Sequence, residues 1–161
     1  LDEHDTLLFL IRKDGRGTAY ISRSCISKNS QDIDKPKVLI PKAYGASETF
    51  PHQIIGVPEI APANSVCSQS YIYCSFQSEE ESWKFSKYLK TKFLRALVCA
   101  SKASQDAMSK VYRFVPMQDF KTNNDIDWSL PICEIDKQLY RKYGLSASEI
   151  NFIEKMIKPM E

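Results

Sequence analysis

Four residues, Ser78-Glu79-Glu80-Glu81, constrain this chain more than any others. A Ser followed three positions later by Glu forms a capping box: the Ser oxygen accepts from the amide of residue 81, and the Glu81 carboxylate returns a bond to the amide of residue 78. It marks a helix start, and the periodicity downstream predicts a helix to about Ala100. At 100° per residue, Leu89, Phe93, Leu97, Trp83, Leu94 and Ala96 fall on one arc. Lys84, Lys87, Lys92, Arg95 and Lys102 fall on the opposite one, with Lys90 at the edge of the apolar arc. The expectation is one long amphipathic helix with an apolar packing face and a basic outer face.

Strand-like sequence precedes that helix. The apolar run 6–12 and the run 18–22 flank Lys13-Asp14-Gly15-Arg16-Gly17, and an Asp-Gly pair between two such runs supplies the positive φ of a hairpin turn. Residues 37–41 read as a buried strand closed by Pro41, followed by a polar loop over 42–47. Residues 53–57 and 70–76 are further strand candidates, and 111–116 alternates like a strand beyond the helix. The tail carries two short helical patterns, 135–143 and one opened by the capping box Ser146–Glu149, with Gly144 as the stop between them. The fold class expected is α+β: mostly antiparallel strands, one long amphipathic helix and a small C-terminal helical tail. Residues 1–130 are expected to form the main domain and 131–161 a helical tail packing on it.

Composition narrows the function classes. With 161 residues, 43% hydrophobic and 26% charged, the chain suits one globular domain. Five scattered cysteines without a Cys-x-x-Cys pair argue for reduced thiols rather than a disulfide framework or a zinc ribbon. His4 and His52 sit in no ligand pattern, so no metal site is expected. No apolar run approaches the roughly 20 residues of a membrane-spanning helix, and Leu1-Asp2-Glu3-His4-Asp5 is acidic where a signal peptide is basic. A cytoplasmic fragment of a larger protein, with no membrane partner, is expected. Net charge is +2, but residues 84–113 hold eight Lys and Arg against Asp106 alone. Such a concentration fits a nucleic-acid partner, or merely a solvated helix face.

Chemistry-bearing motifs are few. Neither Gly-x-x-x-x-Gly-Lys-Ser/Thr nor Gly-x-Gly-x-x-Gly occurs, and no Gly-x-Ser-x-Gly elbow is present. Asp119-Phe120-Lys121 has the acidic-x-Lys form of a metal-dependent nuclease core, which also needs an upstream carboxylate to hold magnesium. The Asn-Pro-Pro-Tyr type of motif that grips a flipped adenine is absent.

Several stretches carry a family resemblance: 89–97 (LKTKFLRAL), 110–120 (KVYRFVPMQDF), 139–145 (LYRKYGL), 150–154 (INFIE) and 37–45 (KVLIPKAYG). Together they resemble the C-terminal target-recognition region of bacterial adenine-specific DNA methyltransferases, with the closest likeness to type II restriction-modification proteins that combine restriction and methylation. The Phe114–Phe120 segment is the specific part. The Lys90–Phe93 stretch is shared more loosely among target-recognition domains, including those of type I specificity subunits. The resemblance implies a module that grips double-stranded DNA while a catalytic methyltransferase domain in cis, outside this chain, binds S-adenosylmethionine and the extruded adenine. No catalytic residue and no cofactor are expected within the chain itself. Lys84, Lys87, Lys92, Arg95 and Arg113 are candidates for phosphate contacts, which position a duplex without reading it. Lys42, Tyr44, Ser47 and Gln118 are candidates for base reading from loops. Two alternatives remain at this point: a protein-interaction module with a solvated basic helix, and a small nuclease using Asp119 and Lys121.

Overall fold

The computed structural model describes residues 5–44, 49–101, 109–121 and 125–160. The fold is mixed α+β, with two three-stranded sheets and four helices of similar length. The first pair of strands is the expected hairpin: β1 (Asp5–Arg12) and β2 (Gly15–Ser22) run antiparallel from Asp5↔Ser22 to Arg12↔Gly15. Gly15 takes φ +127°, a region that lets the chain reverse over Lys13 and Asp14 without a Cβ penalty.

The second sheet is built on β3 (Lys37–Pro41), every residue of which is buried. It is flanked by β4 (Glu59–Ala61) and β6 (Tyr71–Ser75), both antiparallel to it. The short β5 (Ser65–Cys67) returns to the first sheet and pairs parallel with β1, giving the orders β2-β1-β5 and β4-β3-β6. A strand apolar on both faces must be covered twice, and β3 is. Val38 and Ile40 join the large core under the helices, whereas Leu39 joins Phe9, Ala61 and Tyr71 in a smaller core against the first sheet.

Two helices replace the single long one predicted. The helix opened by Ser78 ends at Lys90 as α1 (Glu79–Lys90), and α2 (Lys92–Ser101) starts after Thr91, whose ψ of 146° is extended. Ser78 accepts from the Glu81 amide, so the start of α1 lies where the capping box puts it. In the tail, α3 (Ile132–Lys142) and α4 (Ala147–Met156) are present, the second with both bonds of its capping box, and Gly144 between them has φ +64°. Their Ile135, Leu139 and Tyr140, with Ile157 and Met160 beyond, belong to the same large core as Leu89, Phe93 and Leu94.

Two predicted strands are not strands. Residues 53–57 bury Ile54 and Ile55, but Ile54 has φ +77° and the only ladder contact there is a bridge from His52 to Ile157. Residues 109–112 form a 3-10 turn, and Arg113 and Val115 donate their amides to Lys110 O and Tyr112 O. Local turns have consumed the donors that a ladder would have needed.

Candidate nucleic-acid interface

The break at Thr91 organises the cationic segment. Thr91 Oγ1 donates to Tyr88 O (2.6 Å) and accepts from the Leu94 amide (3.2 Å), so one hydroxyl closes α1 and caps α2. The two remaining free amides at the start of α2, of Lys92 and Phe93, donate to the Asp136 carboxylate of α3 at 3.0 and 2.9 Å. Asp136 is 2% exposed. Burial pushes its carboxyl up to about 6, against the opposing pull of those two amides.

Arg95 completes the junction from the other side. Fully buried, its guanidinium donates to Thr91 O (3.2 Å), Lys90 O (2.9 Å) and Gln53 O (3.2 Å). It caps the C-terminal carbonyls of α1 and ties the 50s loop to the helix pair. Lys92 reaches α4, where Nζ meets the Glu154 carboxylate at 2.5 Å and Glu154 O at 3.2 Å. Tyr140 OH donates to the other Glu154 oxygen. A cleft of about 480 Å³ at this junction is lined by Lys87, Lys90, Lys92, Arg95, Asp136 and Glu154, among others.

Lys84, Lys87, Lys92 and Arg95 of the expected basic arc therefore do not form a solvent face, Lys102 lies outside the described residues, and the apolar arc is not wholly a packing face. Lys84 is 4% exposed, with Nζ on Phe120 O and on the Glu80 carboxylate. Lys87 donates to Trp128 O and Leu130 O. Trp83, expected inside, is 43% exposed, with the Lys87 ammonium 4.5 Å from its ring centroid. The physical reason lies in the segments 113–121 and 125–131: Phe120, Trp128 and Leu130 lie over α1 on the side that a two-faced helix would leave to water. Their backbone carbonyls then require donors, and these lysines supply them.

Gln118 has a similar fate. It is 5% exposed, its amide nitrogen donates to Tyr143 OH (2.8 Å) and Pro116 O (3.0 Å), and its oxygen accepts from Lys142 (2.8 Å). Tyr88 OH also donates to Pro116 O, and burial raises that phenol well above its ordinary value. This network pins the segment 109–121 to the core from beneath, together with buried Val111 and Phe120.

Above that anchor, the segment exposes a different set of side chains. Lys110, Arg113 and Lys121 are exposed, Phe114 is 62% exposed with the Arg113 guanidinium 4.6 Å from its ring centroid, and Met117 is 84% exposed. Among the described residues no carboxylate pairs with these three cations. As a DNA contact the sequence indicated Arg113 but not Lys110, Phe114 or Met117, and it offered Lys121 only as a nuclease residue. The available signal was a pair of large apolar residues straddling Pro116 within a cationic stretch.

The other candidates lie apart. Lys42 is half-buried and lines a cleft between the two sheets, Tyr44 is half-buried after β3, and Ser47 lies outside the described residues. Asp119 Oδ1 accepts from the Lys121 amide in a local turn, not at the end of a strand. Among the described residues no group of three or more His, Cys, Asp or Glu side chains is placed to hold a metal ion. Among them, too, no helix is long and apolar enough to cross a membrane. No protein-family model, curated protein or solved structure matches the chain.

Proposed function

We propose that the chain is the DNA target-recognition region of an adenine-specific DNA methyltransferase of a restriction-modification system, and that segment 109–121 is its principal contact with the duplex. One observation carries the reading: Phe114 and Met117 stand in solvent among Lys110, Arg113 and Lys121, on a backbone held rigid by Gln118 and Tyr88. Two large apolar side chains exposed beside cations that no carboxylate among the described residues pairs with offer a mixed surface suited to a partner that is both charged and aromatic. On nucleic acid both halves are used, the cations neutralising phosphates and the apolar tips meeting base edges or steps. The same segment carries the specific part of the family resemblance.

In this reading Lys84, Lys87, Lys92, Arg95 and Gln118 hold the scaffold, and Arg113 passes from a candidate to a central contact. Lys42 and Tyr44 remain candidates for a second contact beyond β3. The catalytic domain in cis would bind S-adenosylmethionine, and an apolar groove of about 470 Å³ between α2 and α4, with Phe152 58% exposed at it, offers that domain a seat. That groove is also the observation that favours a protein-interaction module instead.

The test is fluorescence anisotropy of a labelled duplex titrated with the protein across a salt series. Replacing Lys110, Arg113 and Lys121 together by Gln is expected to flatten the slope of log affinity against log salt by about 0.9 per lost phosphate contact. Unchanged affinity and slope in a folded triple variant would leave the groove, and a protein partner, as the better reading.

A further inference from the structure

We propose that the cleft between the two sheets is an anion site that takes a phosphoryl group, independent of the contact assigned to segment 109–121. The cleft has a volume of about 520 Å³ and is lined by Lys28, Asn29, Lys37, Lys42, Cys67 and Gln69, among others. That volume is within the range of small-ligand pockets, roughly 300–1,000 Å³. Its charge is unbalanced: three lysines face it against one carboxylate, Asp32. Asp32 is already engaged by the Lys35 ammonium (2.8 Å) and by Tyr73 OH (3.1 Å), which hold it below the usual carboxylate range.

Lys37 is the most buried cation of the cleft. It is 2% exposed at the start of β3, and Nζ donates to Ile33 O (3.0 Å) and Lys35 O (2.6 Å). An ammonium has three donors, and the third has no acceptor among the described residues. Among the described residues no carboxylate is bonded to it: two carbonyl oxygens accept from it, while Asp32 and Asp34 act on its charge without a bond. Burial accordingly lowers its pKa, with Asp32 acting in the other direction. A dianionic oxygen ligand would supply both the missing acceptor and the missing charge.

Cys67 on β5 locates where that ligand would sit. Its thiol lines the same cleft as Lys37 and Lys42; burial pushes the thiol up, whereas the two ammoniums act to lower it. Lys42 extends from the far end of β3, with its amide fixed on Ser70 O, and its side chain has no partner among the described residues. Lys28 is likewise without a partner there and is exposed. Asn29 and Gln69 add neutral donors. The chemistry is that of a phosphoryl group on a small molecule or on a nucleic-acid backbone.

The experiment uses Cys67 as the reporter. The protein is labelled with N-ethylmaleimide, and the rate at each cysteine is followed by peptide mass spectrometry, with inorganic pyrophosphate, a nucleoside monophosphate or a duplex oligonucleotide present. Pyrophosphate is expected to slow labelling at Cys67 while leaving the exposed Cys25 and Cys133 unchanged. Replacing Lys28 and Lys42 by Gln is expected to raise the half-protecting concentration about tenfold for each lost charged contact. Protection by the monophosphate and not by the duplex identifies a small-molecule site. Protection by the duplex as well identifies a backbone contact. No protection by any of the three, equal protection by chloride at matched ionic strength, or protection that survives the double substitution overturns the proposal.

Discussion

Replacing Arg95 by Met should destabilise the whole fold rather than selectively abolish binding. The substitution keeps an apolar stem of similar length and removes only the guanidinium, which holds Thr91 O, Lys90 O and Gln53 O. A buried acceptor left without a donor costs about 1–3 kcal/mol. Two of the three bonds are only partly buried, so the lower end applies and the loss comes to about 3 kcal/mol in all. Stabilities of domains this size run to about 5–15 kcal/mol, so the variant should still fold at low temperature. The assay is urea unfolding followed by circular dichroism. With a slope of about 2 kcal/mol per molar urea, the midpoint should fall by roughly 1.5 M. Arg95→Lys restores one ammonium donor to the carbonyls and should recover part of the loss. A midpoint for Arg95→Met within about 0.3 M of wild type would refute the reasoning, since the three carbonyls would then have found water or another donor.

Asp136 should make stability fall as pH rises through the acid range. Its folded pKa of about 6 lies above the ordinary carboxyl value, so the folded state binds the proton more tightly; the contribution is present below about pH 4 and lost by about pH 6, worth about 3 kcal/mol in all. The difference between wild type and Asp136→Asn in urea midpoints from pH 4 to 7 should show that slope, and a flat difference would contradict it. Ser78→Ala should cost about 1 kcal/mol through loss of the bond to the Glu81 amide, read from the same unfolding curves. Thr91→Ala should cost more than Ser78→Ala, because Thr91 serves both Tyr88 O and the Leu94 amide; an equal or smaller loss would mean that Asp136 alone suffices to start α2.

What could be read from the sequence was mostly local. The hairpin over residues 5–22, the buried strand 37–41, the full capping box at Ser146, the Ser78 half of the one that opens α1 and the Gly144 stop all rest on bonds or dihedrals within a few residues of the signal, and all are present. The failures are non-local. Thr91 looks like one more helical position until Asp136, 45 positions on, accepts from the amides that follow it. Lys84 and Lys87 look solvated until the later connection covers them with carbonyls at Phe120, Trp128 and Leu130, and Arg95 until the end of α1 and Gln53 O take its guanidinium. A helical wheel describes which residues share a face, and it is silent about what the rest of the chain lays over that face. The strand pattern at 111–116 failed for a related reason: Val111 is buried while the neighbours Arg113 and Phe114 are both exposed, as a turn and not a strand places them, and among the described residues no strand lies alongside to pair with the segment.

The four methionines allow the most direct test of the account. Met117 is 84% exposed in the proposed contact, whereas Met160 is 6% exposed and lines the cleft of Lys87, Lys90, Lys92 and Arg95. A protein labelled with ¹³C at the methionine methyls gives a spectrum of four signals, assigned by single Met→Leu replacements. On titration with duplex DNA at low salt, the account predicts that the Met117 signal shifts or broadens progressively while Met160 stays in place. A shift of Met160 with Met117 unmoved would return the interface to the cationic helices and contradict the account.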